Sequence, residues 1–293
     1  MLQNFLLELD GKAVGKFFGM SGGSAKAEII TVRSTNDSNP HKELGVITYE
    51  DIVLECGTGM SRSFYDWIGD SFAGKIIRKN GAVVYLDYNG NPKKRLEFRH
   101  ALVDSLQLPA LNHSGHEEAV MKVGLSPEIS SVGNIDNSQK PGVYSASLPK
   151  AWNVGDFKLA IDGLDTSHVK QVNAISFGTK IARDSIGDER TSTNLPGVTS
   201  FSDLVIQIPG SSKTFEKWVN DFVIKGNSGS TNEKRGMLEY FAPKSNKAYF
   251  TIEFSGLGIY QFVVDKGFQP AGDYTVTMYC QSMKFQAGPA AVV

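Results

Sequence analysis

The sequence predicts a mainly β protein of two similar barrel or sandwich domains, each with one flanking α-helix. Three observations predict it. Blocks of residues recur 152 positions apart, most apolar runs are short and rich in β-formers between Gly and Asn-Gly turns, and one segment per copy has helical spacing. A period near 150 residues is far longer than solenoid units of roughly 20 to 50, so the repeated unit is a domain with its own core. At 293 residues the chain has room for two such units.

The elements follow in order. Phe5-Leu6-Leu7-Glu8-Leu9 opens the first copy as a strand, ends in Asp10-Gly11, and recurs as Phe157 to Gly163. Ala27 to Val32 reads as the next strand, followed by a polar loop from Ser34 to Glu43. The run Gly45-Val46-Ile47-Thr48-Tyr49-Glu50-Asp51-Ile52-Val53-Leu54 returns as Gly197 to Ile206 at the same spacing. After Gly57-Thr58-Gly59 comes the one convincing helix of the copy. Ser63 with Asp66 fits a capping box, and Phe64, Trp67, Ile68 and Phe72 share one side. Asn80-Gly81 and Asn89-Gly90 read as hairpin turns between strands at 75–78, 83–86 and 95–98, and strands near 102–106 and 119–123 close the unit. In the second copy Thr214 takes the cap position, with Phe215, Trp218, Val219 and Phe222 on the apolar side and late strands at 248–254, 259–264 and 274–279. The division expected is a domain at 1–130, a Gly/Pro/Asn-rich linker at 131–154 and a second domain at 155–293.

Lys+Arg of 30 against Asp+Glu of 31 gives a net charge of -1, without the basic excess that phosphate binding needs. Cys56 and Cys280 are not at equivalent positions, so no duplicated disulfide framework is expected and a reducing compartment is the simpler inference. No apolar run approaches the ~18 to 20 residues of a membrane span, and the first residues lack the basic start of a signal peptide. The protein is expected to be made in the cytoplasm and to stay there or leave by another route.

Few residues look chemical. Gly19-Met20-Ser21-Gly22-Gly23 satisfies the nucleophile-elbow pattern, but a strand rather than a helix follows, which disfavours a serine hydrolase using Ser21. Gly57-Thr58-Gly59 has Arg62 where a dinucleotide loop needs its third glycine. His113, His116, Glu117 and Glu118 read as a solvated loop rather than a convergent zinc site. Asp184, Asp188 and Glu189 lack the spacing of a Ca²⁺ loop. Trp67 and Trp218, at matched positions beside Phe64 and Phe215, read as core anchors of the two helices. No catalytic residue, metal or cofactor is expected.

The block Leu44 to Leu54, then Gly57, then Ser61 to Trp67, resembles the tail tube proteins of contractile-tailed phages and phage-derived injection particles. The second copy carries the segment as Leu195-Pro196-Gly197-Val198, while the first has Leu44-Gly45. Leu9-Asp10-Gly11, Met20-Ser21-Gly22, Asp87-Tyr88-Asn89-Gly90 and Leu96-Glu97-Phe98 extend the likeness. The resemblance implies a structural subunit that forms six-domain rings stacked into a hollow tube inside a contractile sheath. Its partners would be itself (as a trimeric pseudo-sixfold ring or a hexamer), sheath, baseplate and tail terminator proteins, and DNA or protein cargo passing through the lumen without specific binding. Its place would be a virion tail or injection particle assembled in the host cytoplasm. By position, the resemblance makes Asn36, Asp37, Asn39, Pro40, His41 and Lys42, with Asp188, Glu189, Arg190 and Thr193, the ring-stacking residues. A tube-end or baseplate component, and a monomeric binding module, are the alternatives.

Overall fold

The computed structural model describes residues 4–32, 40–87, 89–134, 149–184, 192–210, 212–243, 245–264 and 272–291. The first half runs β1 (Asn4–Leu9), β2 (Lys12–Phe17), β3 (Gly19–Ser21), β4 (Ala25–Val32), β5 (His41–Tyr49), β6 (Ile52–Cys56), α1 (Arg62–Phe72), β7 (Lys79–Leu86), β8 (Pro92–Leu108), β9 (Leu111–Asn112), β10 (Glu118–Ala119), β11 (Met121–Ser126) and β12 (Ile129–Asn134). The second runs β13 (Trp152–Asn153), β14 (Phe157–Ile161), β15 (Gln171–Val172), β16 (Ile175–Asp184), β17 (Thr193–Phe201), β18 (Leu204–Pro209), α2 (Lys213–Val219) with a π-helical turn at Asn220–Ile224, β19 (Lys234–Phe241), β20 (Ala248–Val264) and β21 (Asp273–Ala287). The order repeats: β5 and β17 begin and end at the same 152-residue spacing, and β8 and β20 are both 17 residues long.

That long strand makes each unit a curled sheet. The start of β8 pairs with β7 and β12 and its end pairs with β11, so one strand passes through two sheets. The change of direction falls at His100, whose φ of 50 lies in the left-handed region, and Gly256 does the same for β20 at φ 68. Glycine takes that conformation without strain. At His100 the turn is held by Asn80 Oδ1 accepting the His100 amide at 2.9 Å, and by Glu128 against the ring at 3.0 Å.

Alternation of buried and exposed residues along β6, β14 and β18 places Ile52, Leu54, Phe157, Leu159, Leu204 and Ile206 inward, as period-two strands with one wet face should. They join a single apolar cluster that extends through both halves of the chain. Trp67 is 2% exposed and donates from Nε1 to the Ile77 carbonyl at 2.9 Å. Trp218 is buried beside Phe222.

The structure departs from the sequence reading in four places. α1 begins with Ser61 as its N-cap and no side-chain cap bond, so Ser63 and Asp66 lie within the helix, where Asp66 pairs with Arg62 at 3.0 Å. α2 likewise starts at Lys213 after Ser212, which frees the Thr214 hydroxyl to accept the Asp165 amide at 3.0 Å. Asn80-Gly81 is strand, not turn: β1 and β8 flank it so closely that a Cβ on Gly81 would lie 2.3 Å from the Glu8 carbonyl, and residues 75–78 form no strand. The expected linker is structured at both described ends. Residues 129–134 form β12, and Trp152, 2% exposed, packs edge-on against Phe250 at 5.5 Å and Tyr240 at 6.3 Å. Tyr144 and Trp152, isolated among Gly, Pro and Ser, give no periodicity, so the burial of Trp152 could not be read from pattern.

Replacing Trp67 or Trp152 by Ala should each lower stability by about 3–5 kcal/mol through lost burial and a cavity. Urea unfolding measures it; parent-like midpoints would show that neither side chain is a core anchor.

Candidate assembly interface

Where the two halves meet, an edge of one domain is completed by the other. The end of β8 pairs antiparallel with β16 in the register Ser105↔Gly178, Leu106↔Phe177, Gln107↔Ser176 and Leu108↔Ile175. The pairing continues as β9 against β15, Leu111↔Val172 and Asn112↔Gln171. Leu106, Leu108, Leu111, Val172, Ile175 and Phe177 are all buried along this line. Backbone hydrogen bonds thus run without a break from β11 through β8 and β16 to β17.

The first helix seals one face of the joint. Its Tyr65 meets Phe250 of β20 at 5.3 Å, and Phe72 meets Phe177 of β16 at 4.9 Å. A Cβ on Gly69 would stand 2.6 Å from the Phe285 carbonyl, so only glycine lets α1 approach β21 this closely. Helical spacing assigned one apolar side to α1; Tyr65, on the flank, was missed because its partner comes from the other copy.

Polar groups fasten the hairpin β16–β17 to the first domain. Asn194, 1% exposed, donates its amide to Glu128 at 3.0 Å and its side chain to the Ser126 carbonyl at 3.0 Å, and its own carbonyl accepts Arg78 at 2.6 Å. Arg78 also pairs with Glu128 at 3.4 Å. Arg183 donates to the Tyr49 carbonyl at 2.8 Å and lies 3.5 Å from Asp51. Beside it, burial and then the Asp51 charge push the Asp104 carboxyl up to about 6, against the lowering effect of the Ser105 hydroxyl.

The residues singled out by sequence fall as follows. Asn36, Asp37, Asn39, Asp188, Glu189 and Arg190 lie outside the described residues. Pro40 is exposed; His41, Lys42 and Thr193 belong to strands rather than loops, paired as Val32↔His41, Thr31↔Lys42 and Asp184↔Thr193. Ser21 ends the short strand β3 against β6 and leads to β4, so no strand-to-helix elbow forms; a Cβ on Gly22 would meet the Asp51 carbonyl at 1.8 Å. His113 stacks on Phe157 at 4.0 Å, and among the described residues no group of three or more His, Cys, Asp or Glu could hold a metal ion. Thr58 of the Gly-Thr-Gly turn donates its amide to the Lys150 carbonyl at 2.7 Å, which pins the chain between the domains. No helix among the described residues is long and apolar enough to cross a membrane.

The family model of the T4-like virus tail tube protein gp19 matches residues 3–129. Residues 3–129 are thus similar to a tail tube domain. No curated protein matches the chain. Solved structures similar to it include the PVC sheath-tube complex of an extracellular contractile injection system in its extended state, at 19% identity and TM-score 0.39 over 45% of this chain and 88% of that one. The anti-feeding prophage cap matches at 20% identity and TM-score 0.39, over 45% and 88%. Hcp1 from Flavobacterium johnsoniae matches at 20% identity and TM-score 0.29, over 46% and 99%.

The Asp104 carboxyl gives the tube domain a pH signature. Its folded value of about 6 lies above the ordinary 3.8, so the folded state holds the proton more tightly and stability falls as pH rises between the two. Asp104→Asn should therefore stabilise the protein at pH 7.5 relative to the parent, with the gain fading towards pH 4. Urea midpoints at both values test this, and an equal shift at each would refute it.

Proposed function

We propose that this chain is the repeating structural subunit of a phage or phage-like tail tube, and that each chain supplies two adjacent domains to one ring. The observation that carries the reading is the strand-paired joint between β8 and β16 in a chain whose residues 3–129 match the tail tube family model. Units 1–130 and 155–293, joined by 131–154, are neighbours around the ring, so three chains give six domains. Closing the ring removes strand edges that would otherwise be open to indiscriminate pairing. Rings stack into a hollow tube in a virion tail or injection particle assembled in the host cytoplasm. A sheath surrounds it, a baseplate and a terminator meet its ends, and DNA or protein cargo passes through without specific binding. The role is mechanical rather than enzymatic.

Purified protein at high concentration should show rings or stacked tubes with a central channel in negative stain, and native mass measurement of a ring should give three chains. Six chains would mean that one domain has left the inner ring. A chain that stays monomeric at every concentration and salt would overturn the tube reading.

Ring-to-ring contacts are assigned to the segments joining β4 to β5 and β16 to β17. The hairpins are matched in the two copies, and functional loops commonly sit on rigid scaffolds of this kind. Shortening 34–39 or 185–191 spares Asn194 and its partners, so rings should persist while tubes shorten. Parent-length tubes from both variants would sink the assignment.

A further inference from the structure

Each element of the internal joint has a counterpart in the other half of the chain, and the counterparts face solvent. The end of β8 lies between β11 and β16; the matching end of β20 pairs only with β21 among the described residues, and Tyr260 and Val263 there are 49% and 42% exposed. β16 pairs with β8 and β17, whereas its match β4 pairs only with β5 among the described residues. Val223 and Ile224 end the second helical segment where Phe72 ends the first, and they are 43% and 73% exposed. Val132 sits on β12 opposite Leu96 as Phe285 sits on β21 opposite Ile252, and it is 72% exposed.

The polar positions correspond too. Tyr65 follows Phe64 in α1 as Glu216 follows Phe215 in α2, and Phe250 is the third residue of β20 as Lys94 is of β8. The Tyr65–Phe250 contact thus has Glu216 and Lys94 as its counterpart, two exposed side chains of opposite charge. Asn194 is the second residue of β17 as Lys42 is of β5, and Arg78 precedes β7 as Glu233 precedes β19. Around Glu233, Tyr279 donates its hydroxyl at 2.8 Å and Gln281 its side-chain amide at 3.3 Å, so a carboxylate held by two donors stands in place of Arg78, Ser126 and Glu128.

The geometry points to a head-to-tail seam in which a second copy of this chain docks on these surfaces. β20 of one chain pairs antiparallel with β4 of the next in the register Gln261↔Lys26, Phe262↔Ala25 and Val263↔Ser24, as Ser105, Leu106 and Gln107 pair with Gly178, Phe177 and Ser176 inside the chain. Glu216 meets Lys94 of the next chain, Glu233 meets Lys42 of the next chain, Val223 lies over Ala25 as Phe72 lies over Phe177, and Val132 faces Asn220 as Phe285 faces Gly69. Both surfaces are carried by every chain, so the contact is heterologous and repeats until it closes. An unrelated partner would have to match strand edge, apolar patch and both charge pairs at once. The seam rests on the ring reading above and adds the residues that make it.

Charge exchange tests it. With the parent assembling, Glu216→Lys and Lys94→Glu should each raise the concentration for half-assembly by roughly tenfold or more, and the double exchange should restore it. Glu233→Lys with Lys42→Glu should behave alike. These side chains are exposed or half-buried, so the variants should melt like the parent, which separates seam from fold. Independently, Phe262→Cys with Ala25→Cys in a Cys280→Ser background should yield a ladder of linked chains when assembled rings are oxidised or bridged with a short dithiol reagent. Singles that assemble like the parent, doubles no better than singles, or assembled rings without a ladder would overturn the seam and leave the ring reading standing. A parent that never assembles overturns the ring reading and the seam with it.

Discussion

The hydrogen bonds between β8 and β16 are the constraint on which the arrangement of the two halves depends. A strand end such as 105–108 carries amides and carbonyls that need partners, and here a second domain of the same chain supplies them. Once that register is set, the positions of the remaining elements follow. Phe177 is brought under Phe72, β20 under Tyr65, and β21 so close to α1 that residue 69 must be glycine. The joint is therefore a continuation of both cores, in keeping with the single apolar cluster that spans them.

The same geometric contact is built from different chemistry according to whether the chain crosses it. Inside the chain it uses buried aromatics and a nearly inaccessible Asn194 that donates to Glu128 and Ser126. Such groups are costly to expose, which is tolerable for a contact made during folding and never released. At the proposed seam between chains stand Glu216, Lys94, Lys42 and Glu233, which are exposed or half-buried in the single chain. Charges of this kind contribute little as isolated pairs but steer encounter and reject wrong registers. In a ring of three such chains, the covalent joint would secure half of the domain contacts in advance and leave fewer independent pieces to bring together.

Much of this was legible in the sequence because duplication preserves spacing. The strand order, the two helices and the anchors Phe64, Trp67, Phe215 and Trp218 follow from periodicity and repetition. What was not legible depends on contacts distant in the chain. Asn80-Gly81 has the local signature of a turn, yet tight packing between β1 and β8 holds it in a strand, where glycine serves close approach instead. Trp152 sits in a segment of linker composition and is buried because β10 pairs with β13 beside Phe250. The joint itself was hidden for the same reason: nothing local marks which edge of which copy is shared.

Divergence between the copies is informative once the joint is known. Phe285 and Val132 occupy one structural position, as do Phe250 and Lys94, and in each pair the larger apolar residue lies inside the chain. Phe285 is buried against α1, while Val132 and Lys94 remain in solvent. Two identical copies would expose on every free chain the aromatics that the internal joint buries, and exposed apolar patches of that kind invite aggregation. Replacing them with a small aliphatic residue and charges keeps the free chain soluble while retaining a surface that a neighbour can fit. With the seam proposed above, the asymmetry of the duplication would allow one contact to be permanent and its repeat to form only on assembly.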